Sequence, residues 1–321
     1  MPADGAPTAQ PRRLIRGGAP VKERKTGPSG SFDMTLSLFK EISMKIVFAI
    51  AAAIFVLCVA VICVFIFAQA FPAIREIGLV EFLFSDLWAP TNVPPSYGIG
   101  TMIVGSCFVT AGALVIGVPV GLLMAAFLAR YCPKPLYKVV KPMTNILAGI
   151  PSIVYGYFGM SVIVPLVRDN LGGTGFSILS ASVVLGIMIL PTIISVSEAA
   201  LRALPKSYYE GALALGATHE RAVFFTEFPA AKSGIMTSIV LGLGRVIGET
   251  MAVVMIVGNR TVLPESLLDG VRTMTSHIVL ELGYATDTHR GALIATAAVL
   301  FVFILLINLL VAVIRRKGRA K

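Results

Sequence analysis

The chain has 321 residues, 56% of them hydrophobic and 14% charged, and its mean hydropathy of +0.85 excludes a soluble domain and makes it an integral membrane protein. Its formal charge of +10 would suit a nucleic-acid binder, but the placement excludes that: 21 of the 27 Lys and Arg fall on one side of the expected spans, five on the other, and Arg245 lies inside a span. By the positive-inside rule both termini are cytoplasmic.

Residues 1–31 are rich in Pro, Gly and basic residues without apolar periodicity, the mark of a disordered cytoplasmic tail. The tail is too long and polar, and the apolar run after it too extended, for a cleavable signal peptide. Over 32–45, Phe32, Leu36, Phe39 and Ile42 fall roughly on one helical face, which fits either a short helix in the membrane interface or a polar extension of the first span. A spanning helix needs about 20 apolar residues. Six stretches qualify within a transmembrane domain over 46–321: Ile46–Phe71, Gly98–Ala129, Pro142–Leu166, Phe176–Ser197, Gly234–Gly258 and Gly291–Ile314. The predicted fold is all-α, a polytopic membrane protein with six transmembrane helices.

The first external loop, Pro72–Tyr97, is rich in Pro toward its end, which predicts turns over regular structure, and Trp88 and Tyr97 suit the membrane interface. In the second span Gly117 and Gly121 form a small-x-x-x-small pattern whose default reading is close helix packing. Cys58, Cys63, Cys107 and Cys132 include no C-x-x-C pair and read as small apolar filler. In the third span Gly149 and Pro151 would break or kink the helix; irregular backbone at that depth is tolerated only within protein or beside water. The segment 147–159 is therefore either a pathway element or a packed kink. His219, His277 and His289 sit in three stretches split between the two sides, which argues against a shared metal site. There is no G-x-x-x-x-G-K-[ST] sequence, so ATP must be hydrolysed elsewhere, and no cofactor is expected in this chain.

The fifth span places Arg245 and Glu249 near its middle. A charge at that depth costs about 2.5–3.5 kcal/mol on insertion scales, whereas an i, i+4 pair on a helix surface returns only about 0.2–0.5 kcal/mol. One reading is that the pair neutralises itself and fixes packing. The other is that this face lines a solvated pathway for an anion, Arg245 offering a permanently charged, planar fork of donors that fits phosphate oxygens. Glu249 would then hold Arg245 at rest or accept a hydrogen bond from a protonated oxyanion, which favours phosphate over sulfate. Gly244 and Gly248 beside the pair form a second small-x-x-x-small pattern, again read as packing.

Between the fourth and fifth spans lies a polar cytoplasmic segment, 198–233. Within it Ser207–Ala231 resembles the EAA loop of ABC importer permeases, carried here by Glu210, Gly211, Ala212, Gly216 and Pro229, with Gly211, Thr226 and Phe228 departing from the usual Ala, Ile and Leu. Physically, a short helix starts near Glu210, whose charge suits a helix N-terminus, Gly216 allows a sharp turn, and a second helix runs to Pro229. With Leu147–Gly159, Ile187–Thr192, Glu198–Pro205 and Gly242–Gly258, the chain looks like the phosphate-specific ABC importer permeases. Glu249–Val253 and the Trp88–Pro90 segment are more similar to the PstC-like subunit than to its partner.

That resemblance implies a type I ABC importer permease fold in a bacterial inner membrane. It implies a homologous second permease (PstA-like), two ATPase subunits (PstB-like), an external phosphate-binding protein (PstS-like) and inorganic phosphate as cargo. It also implies a non-catalytic chain in which Arg245 and Glu249 are translocation residues, Gly149, Pro151 and Ser152 a further pathway element, and Glu210, Gly211, Ala212, Gly216 and Pro229 the ATPase-coupling loop. A permease for sulfate or molybdate would share the loop and differ in the chemistry of the fifth span. An ion-coupled secondary transporter would use Arg245 and Glu249 as a relay.

Overall fold

The computed structural model describes the backbone of residues 29–317 and the side chains of 41–310, 312 and 313, so the expected tail lies outside the described residues apart from Ser29–Ser31. The first helix, α1 (Ser29–Ile77), includes the expected first span, and residues 32–45 continue it without a break. The chain divides at Val61 into two units. From Glu41 up to that point the apolar side chains of α1, Phe48, Phe55 and Leu57 among them, are exposed, as suits a helix bathed in lipid. The unit from Ile62 onward contains all the remaining elements.

The first external loop is more regular than its Pro content predicts. It holds a short helix, α2 (Leu79–Phe84), and an antiparallel hairpin of β1 (Trp88–Ala89) and β2 (Ser96–Tyr97) in which Trp88 faces Tyr97. The prolines sit in the connection between the strands, where no ladder hydrogen bond is required. Trp88 and Tyr97 are 8% and 7% exposed, so both belong to the protein core, not to the lipid interface. They pack with Phe82, Ile99, Met102, Met274 and Leu293 in an external core.

The second span is α3 (Gly100–Ala126), continued by a π-helical turn to Tyr131. It packs along α7 (Ile178–Arg202), the most buried of the spans. The small-residue pattern of α3 is the reason they fit. A Cβ on Gly117 would stand 2.7 Å from Ile189 Cδ1, and one on Gly121 2.7 Å from Ile193 Cγ2, so only glycine lets the two backbones approach this closely.

Between them the expected third span is not one kinked helix. It is α4 (Lys134–Gly149) followed by α5 (Ser152–Phe158), a π-helical turn and α6 (Val164–Leu171), with a bend of 96° between the halves. Pro151 supplies no N–H and pushes Ile150 out of the helical region, so the ladder stops there. The two halves are apolar enough to cross only when taken together as one bent pair, 134–171, whose break falls inside the expected stretch Pro142–Leu166.

The polar segment folds as α8 (Lys206–Ala214), α9 (His219–Arg221), a π-helical turn and α10 (Phe228–Ala230). The fifth span is likewise interrupted: α11 (Lys232–Ile247) ends before Gly248, and a short outer helix, α12 (Met251–Ile256), begins after Thr250. An external helix, α13 (Met274–Glu281), precedes the last span, α14 (Asp287–Lys317). Among the described residues four helices are long and apolar enough to cross a membrane, or up to six segments if each bent pair counts as one.

Candidate functional site

The break in the fifth span separates the two charges that a continuous helix would have put on one face. Arg245 belongs to the last turn of α11, whereas Glu249 sits in the non-helical step before α12 and turns its Oε1 back to accept from Ala252 N at 3.2 Å. No ion pair joins Arg245 to Glu249 among the described residues, which corrects the expected i, i+4 pairing. A carboxylate at that place is stabilised by the exposed amides and the dipole at a helix start, so Glu249 has a local partner and Arg245 keeps its charge for another. The guanidinium lies within electrostatic reach of the Tyr155 hydroxyl.

Tyr155 connects this break to the other one. Its hydroxyl donates to the Leu147 carbonyl at 2.7 Å, across the interruption at Gly149–Pro151. The next residue, Gly156, lies against α12, where an added Cβ would stand 2.9 Å from Ala252 Cα. The interrupted third and fifth spans thus cross at α5 and α12. Gly149 and Pro151 are exposed and Ser152 half-buried. An added Cβ would meet nothing within 4 Å at Gly149 or Gly244, so Gly244 is not a packing glycine within this chain, unlike Gly117 and Gly121.

The second group of expected residues forms a protruding elbow. Glu210, Gly211, Gly216 and Pro229 are exposed and Ala212 half-buried. The helix begins at Lys206 after Pro205, so Glu210 is in mid-helix and not at its start; Pro205, as the residue preceding the first turn, sets the boundary earlier than the acid suggested. Gly216 adopts φ 85°, the left-handed conformation that favours glycine. Thr218 then caps the next helix, its Oγ1 accepting from Arg221 N at 3.4 Å. Leu215 at the tip is 92% exposed and Phe225 76%.

This elbow is fixed to the spans by charges that sequence reading missed. Arg130, at the end of the second span, donates from Nε to Glu227 Oε2 at 2.7 Å and from Nη2 to the Leu201 carbonyl at 2.8 Å. Glu227 is fully buried. Its other oxygen, Oε1, lies 2.6 Å from Arg130 Nη2 but receives no aligned hydrogen bond, so that contact is ionic alone. Arg202, at the end of α7, donates to Glu198 at 2.8 Å and to the Leu128 carbonyl at 2.6 Å. Glu198 also accepts from Lys141 Nζ and Tyr137 Oη of α4, each at 2.8 Å. A signal existed: Glu198 and Glu227 are acids flanked by long apolar and aromatic runs, where an ionisable residue calls for a partner.

At the external end, His277 and His289, kept apart in the sequence reading, meet at Glu281. Glu281 Oε2 accepts from Trp88 Nε1 at 2.8 Å and faces His289 Nε2 at 2.9 Å, and Oε1 accepts from Arg272 Nη1 at 2.5 Å. Burial works against the charge of Glu281, but His277, His289, Trp88 and Arg272 together outweigh it and hold the carboxyl below its ordinary range. His277 has no exposed surface, and burial pushes its imidazole down to about 4, with Arg272 and His289 acting in the same direction and Glu281 against.

Helices long and apolar enough to cross a membrane, two bent helix pairs and a protruding elbow tied to the helix ends define a helical membrane protein. Residues 117–319 match the family of binding-protein-dependent transport system inner membrane components, and the chain belongs to it. It is therefore an ABC importer permease, a membrane subunit that works with an ATPase and a binding protein. It is 41% identical to the probable ABC transporter permease protein YqgH of Bacillus subtilis over 74% of this chain and 79% of that one. With the phosphate transport system permease protein PstC of Xylella fastidiosa it shares 36% identity over 70% of this chain and 74% of that one. A bacterial alginate ABC transporter solved with its pentasaccharide-bound periplasmic protein has the same fold, with a TM-score of 0.57 at 17% identity over 90% of this chain and 96% of that one.

Proposed function

We propose that the chain is the PstC-like permease of an ATP-driven importer of inorganic phosphate. It forms half of the translocation pathway with a homologous PstA-like permease, is driven by two PstB-like ATPase subunits, and receives cargo from an external PstS-like binding protein. Both termini, on this reading, are cytoplasmic. The observation that carries it is the interruption between Arg245 and Glu249. It gives the carboxylate a backbone partner at α12 and leaves the guanidinium, within electrostatic reach of Tyr155, without that carboxylate as an ion-pair partner, which supports the reading of Arg245 as a bidentate donor for an oxyanion. The name of the Xylella relative supports phosphate as that oxyanion. Ala252 N uses one oxygen of Glu249, and the other can accept a hydrogen bond from the hydroxyl that phosphate retains near neutral pH and sulfate lacks. Gly149, Pro151 and Ser152 line the opposing break, and the elbow of Glu210, Gly211, Ala212, Gly216 and Pro229 takes the push of the ATPase. The chain itself catalyses nothing.

Uptake of labelled phosphate at low concentration tests this in cells lacking the gene and complemented with wild type or Arg245→Gln at equal membrane abundance. Wild type should restore energy-dependent uptake that excess sulfate leaves untouched, and Arg245→Gln should not. Sulfate competition would move the assignment to another oxyanion, and normal transport by Arg245→Gln would make the arginine structural.

A further inference from the structure

The short helix α12 is held at both ends by one external strap. At its start Thr275 Oγ1 donates to the Glu249 carbonyl at 3.0 Å, and just past its finish Arg272 Nε donates to the Asn259 carbonyl at 3.1 Å. Between these, Val271 N donates to the Val257 carbonyl at 3.0 Å. A helix of six residues has almost no stability of its own, so its position is set by what grips it. The grip at Glu249 is specific. No backbone N–H among the described residues donates to that part-buried carbonyl, and a carbonyl partly withdrawn from water at a helix interruption gains from a partner.

The strap is rigid and anchored outward. Thr273 and Ser276 cap α13 reciprocally, with Ser276 N donating to Thr273 Oγ1 at 3.2 Å and Thr273 N to Ser276 Oγ at 3.0 Å, which fixes Thr275 between them. Met274 N donates to Ser106 Oγ of α3 at 3.0 Å. At the far end of the same helix Glu281 accepts from Trp88 of the hairpin and from Arg272. An unbroken series of polar contacts thus runs from the external hairpin, through Glu281 and α13, to the backbone of Glu249.

We propose that Thr275 is a positioning residue of the pathway: its hydroxyl holds the Glu249 carbonyl, and with it the interruption between Arg245 and Glu249, in register with the hairpin. A displacement of the hairpin by a partner bound outside is thereby passed to the pathway. Thr275 touches no cargo and acts through Glu249. The inference rests on the phosphate-permease reading for its role in transport, and the experiment separates the two.

In the assembled importer, Thr275→Val keeps the side-chain shape and removes the donor. It should lower the maximal uptake rate between about twofold and tenfold at equal membrane abundance, with the half-saturating concentration of loaded binding protein unchanged. Thr275→Ser should restore the rate. Trp88→Phe removes the indole N–H at the other end of the strap, and the double variant decides the matter. One connected path gives a combined loss no greater than the larger single loss, whereas two unrelated packing defects give losses that multiply. Multiplying losses, a silent Thr275→Val or a Ser that does not rescue each overturn the inference. If Thr275→Val fails to accumulate, Thr275→Ala takes its place in the same cycle. If wild type itself moves no phosphate, the cargo assignment fails instead, and the cycle is read on binding-protein-stimulated ATP hydrolysis.

Discussion

Both ends of the molecule bury carboxylates, but they satisfy them by different chemistry. At the end that carries the elbow, Glu198 and Glu227 are met by two guanidinium groups and an ammonium group, those of Arg130, Arg202 and Lys141. The two arginines are exchanged between helix ends: Arg130 of the second span covers a terminal carbonyl of α7, and Arg202 of α7 covers one of the second span. Each thus meets the negative end of the neighbouring helix dipole as well as its carboxylate. At the external end one acid, Glu281, gathers an indole, a guanidinium and two imidazoles. The first arrangement makes the elbow and the span ends one stiff body suited to transmitting force. The second joins a hairpin, a short helix and a strap at a single group, beside which burial holds the His277 imidazole in its neutral form.

The sharpest way to break this contrast is Arg130→Met. It leaves the fully buried Glu227 without its counter-charge, a situation that costs about 3–5 kcal/mol, so the variant should fail to accumulate or should unfold far below wild type in a thermal melt. Adding Glu227→Met should recover part of the loss, because a well-packed apolar pair avoids desolvating either charge. If Arg130→Met melts like wild type, the cytoplasmic network is not what holds the elbow.

Acid should find the external end first. His277 is neutral in the fold, with its pKa pushed from 6.5 to about 4, so it contributes stability that is whole above 6.5 and is lost as the pH falls from there toward 4. The full effect is on the order of 3 kcal/mol. Glu281, whose folded pKa is also depressed, adds to the loss only below its ordinary carboxylate range. Melting curves of wild type and His277→Gln between pH 7.5 and about 5 check this: the wild-type midpoint should fall on acidification and the variant's should stay nearly flat. A His277→Gln midpoint that falls as steeply would place the sensitivity elsewhere.

Legibility in the sequence tracks the range of the interactions. Membrane class and the elbow rest on composition and on neighbours a few positions apart. The turn at Gly216 and the close approach at Gly117 and Gly121 are local too, and all three stand as read. Pro151 announced a disturbance in the third span but not a bend of 96°, because the bend also needs Tyr155 to take up a freed carbonyl. The interruption at Gly248–Thr250 had no proline to announce it, and its carbonyl is held by Thr275, 26 positions away. The buried charge networks were the least legible. Arg130 meets Glu227 across 97 positions and Trp88 meets Glu281 across 193, and no periodicity encodes such pairs.

A smaller effect sharpens the description of the cytoplasmic end as a stiff body. At Gly216 an added Cβ would meet nothing within 4 Å, so Gly216→Ala tests the backbone alone. A left-handed φ costs an L-residue roughly 1–2 kcal/mol, and the elbow, free to solvent, can relieve part of it by shifting its tip. The expected result is unchanged membrane abundance with ATP hydrolysis less tightly coupled to uptake, measured as transport per ATP. Full coupling would mean that the tip geometry is set by the ATPase and not by the turn.

The smallest effect belongs to a pair that distance alone would rank with the strongest. Lys45 and Glu41 approach to 2.7 Å, much as Arg130 and Glu227 do at 2.6 Å, but their side chains are 72% and 63% exposed where Glu227 has no exposed surface. Water and salt screen the first pair, whereas in the second they reach Arg130 only in part and Glu227 not at all. Lys45→Ala should therefore move the melting midpoint by no more than about 0.5 kcal/mol equivalent, and raised salt should erase even that, while Arg130→Met should be equally damaging at either ionic strength. If the two substitutions cost the same, burial is not what distinguishes the charges that hold this permease together.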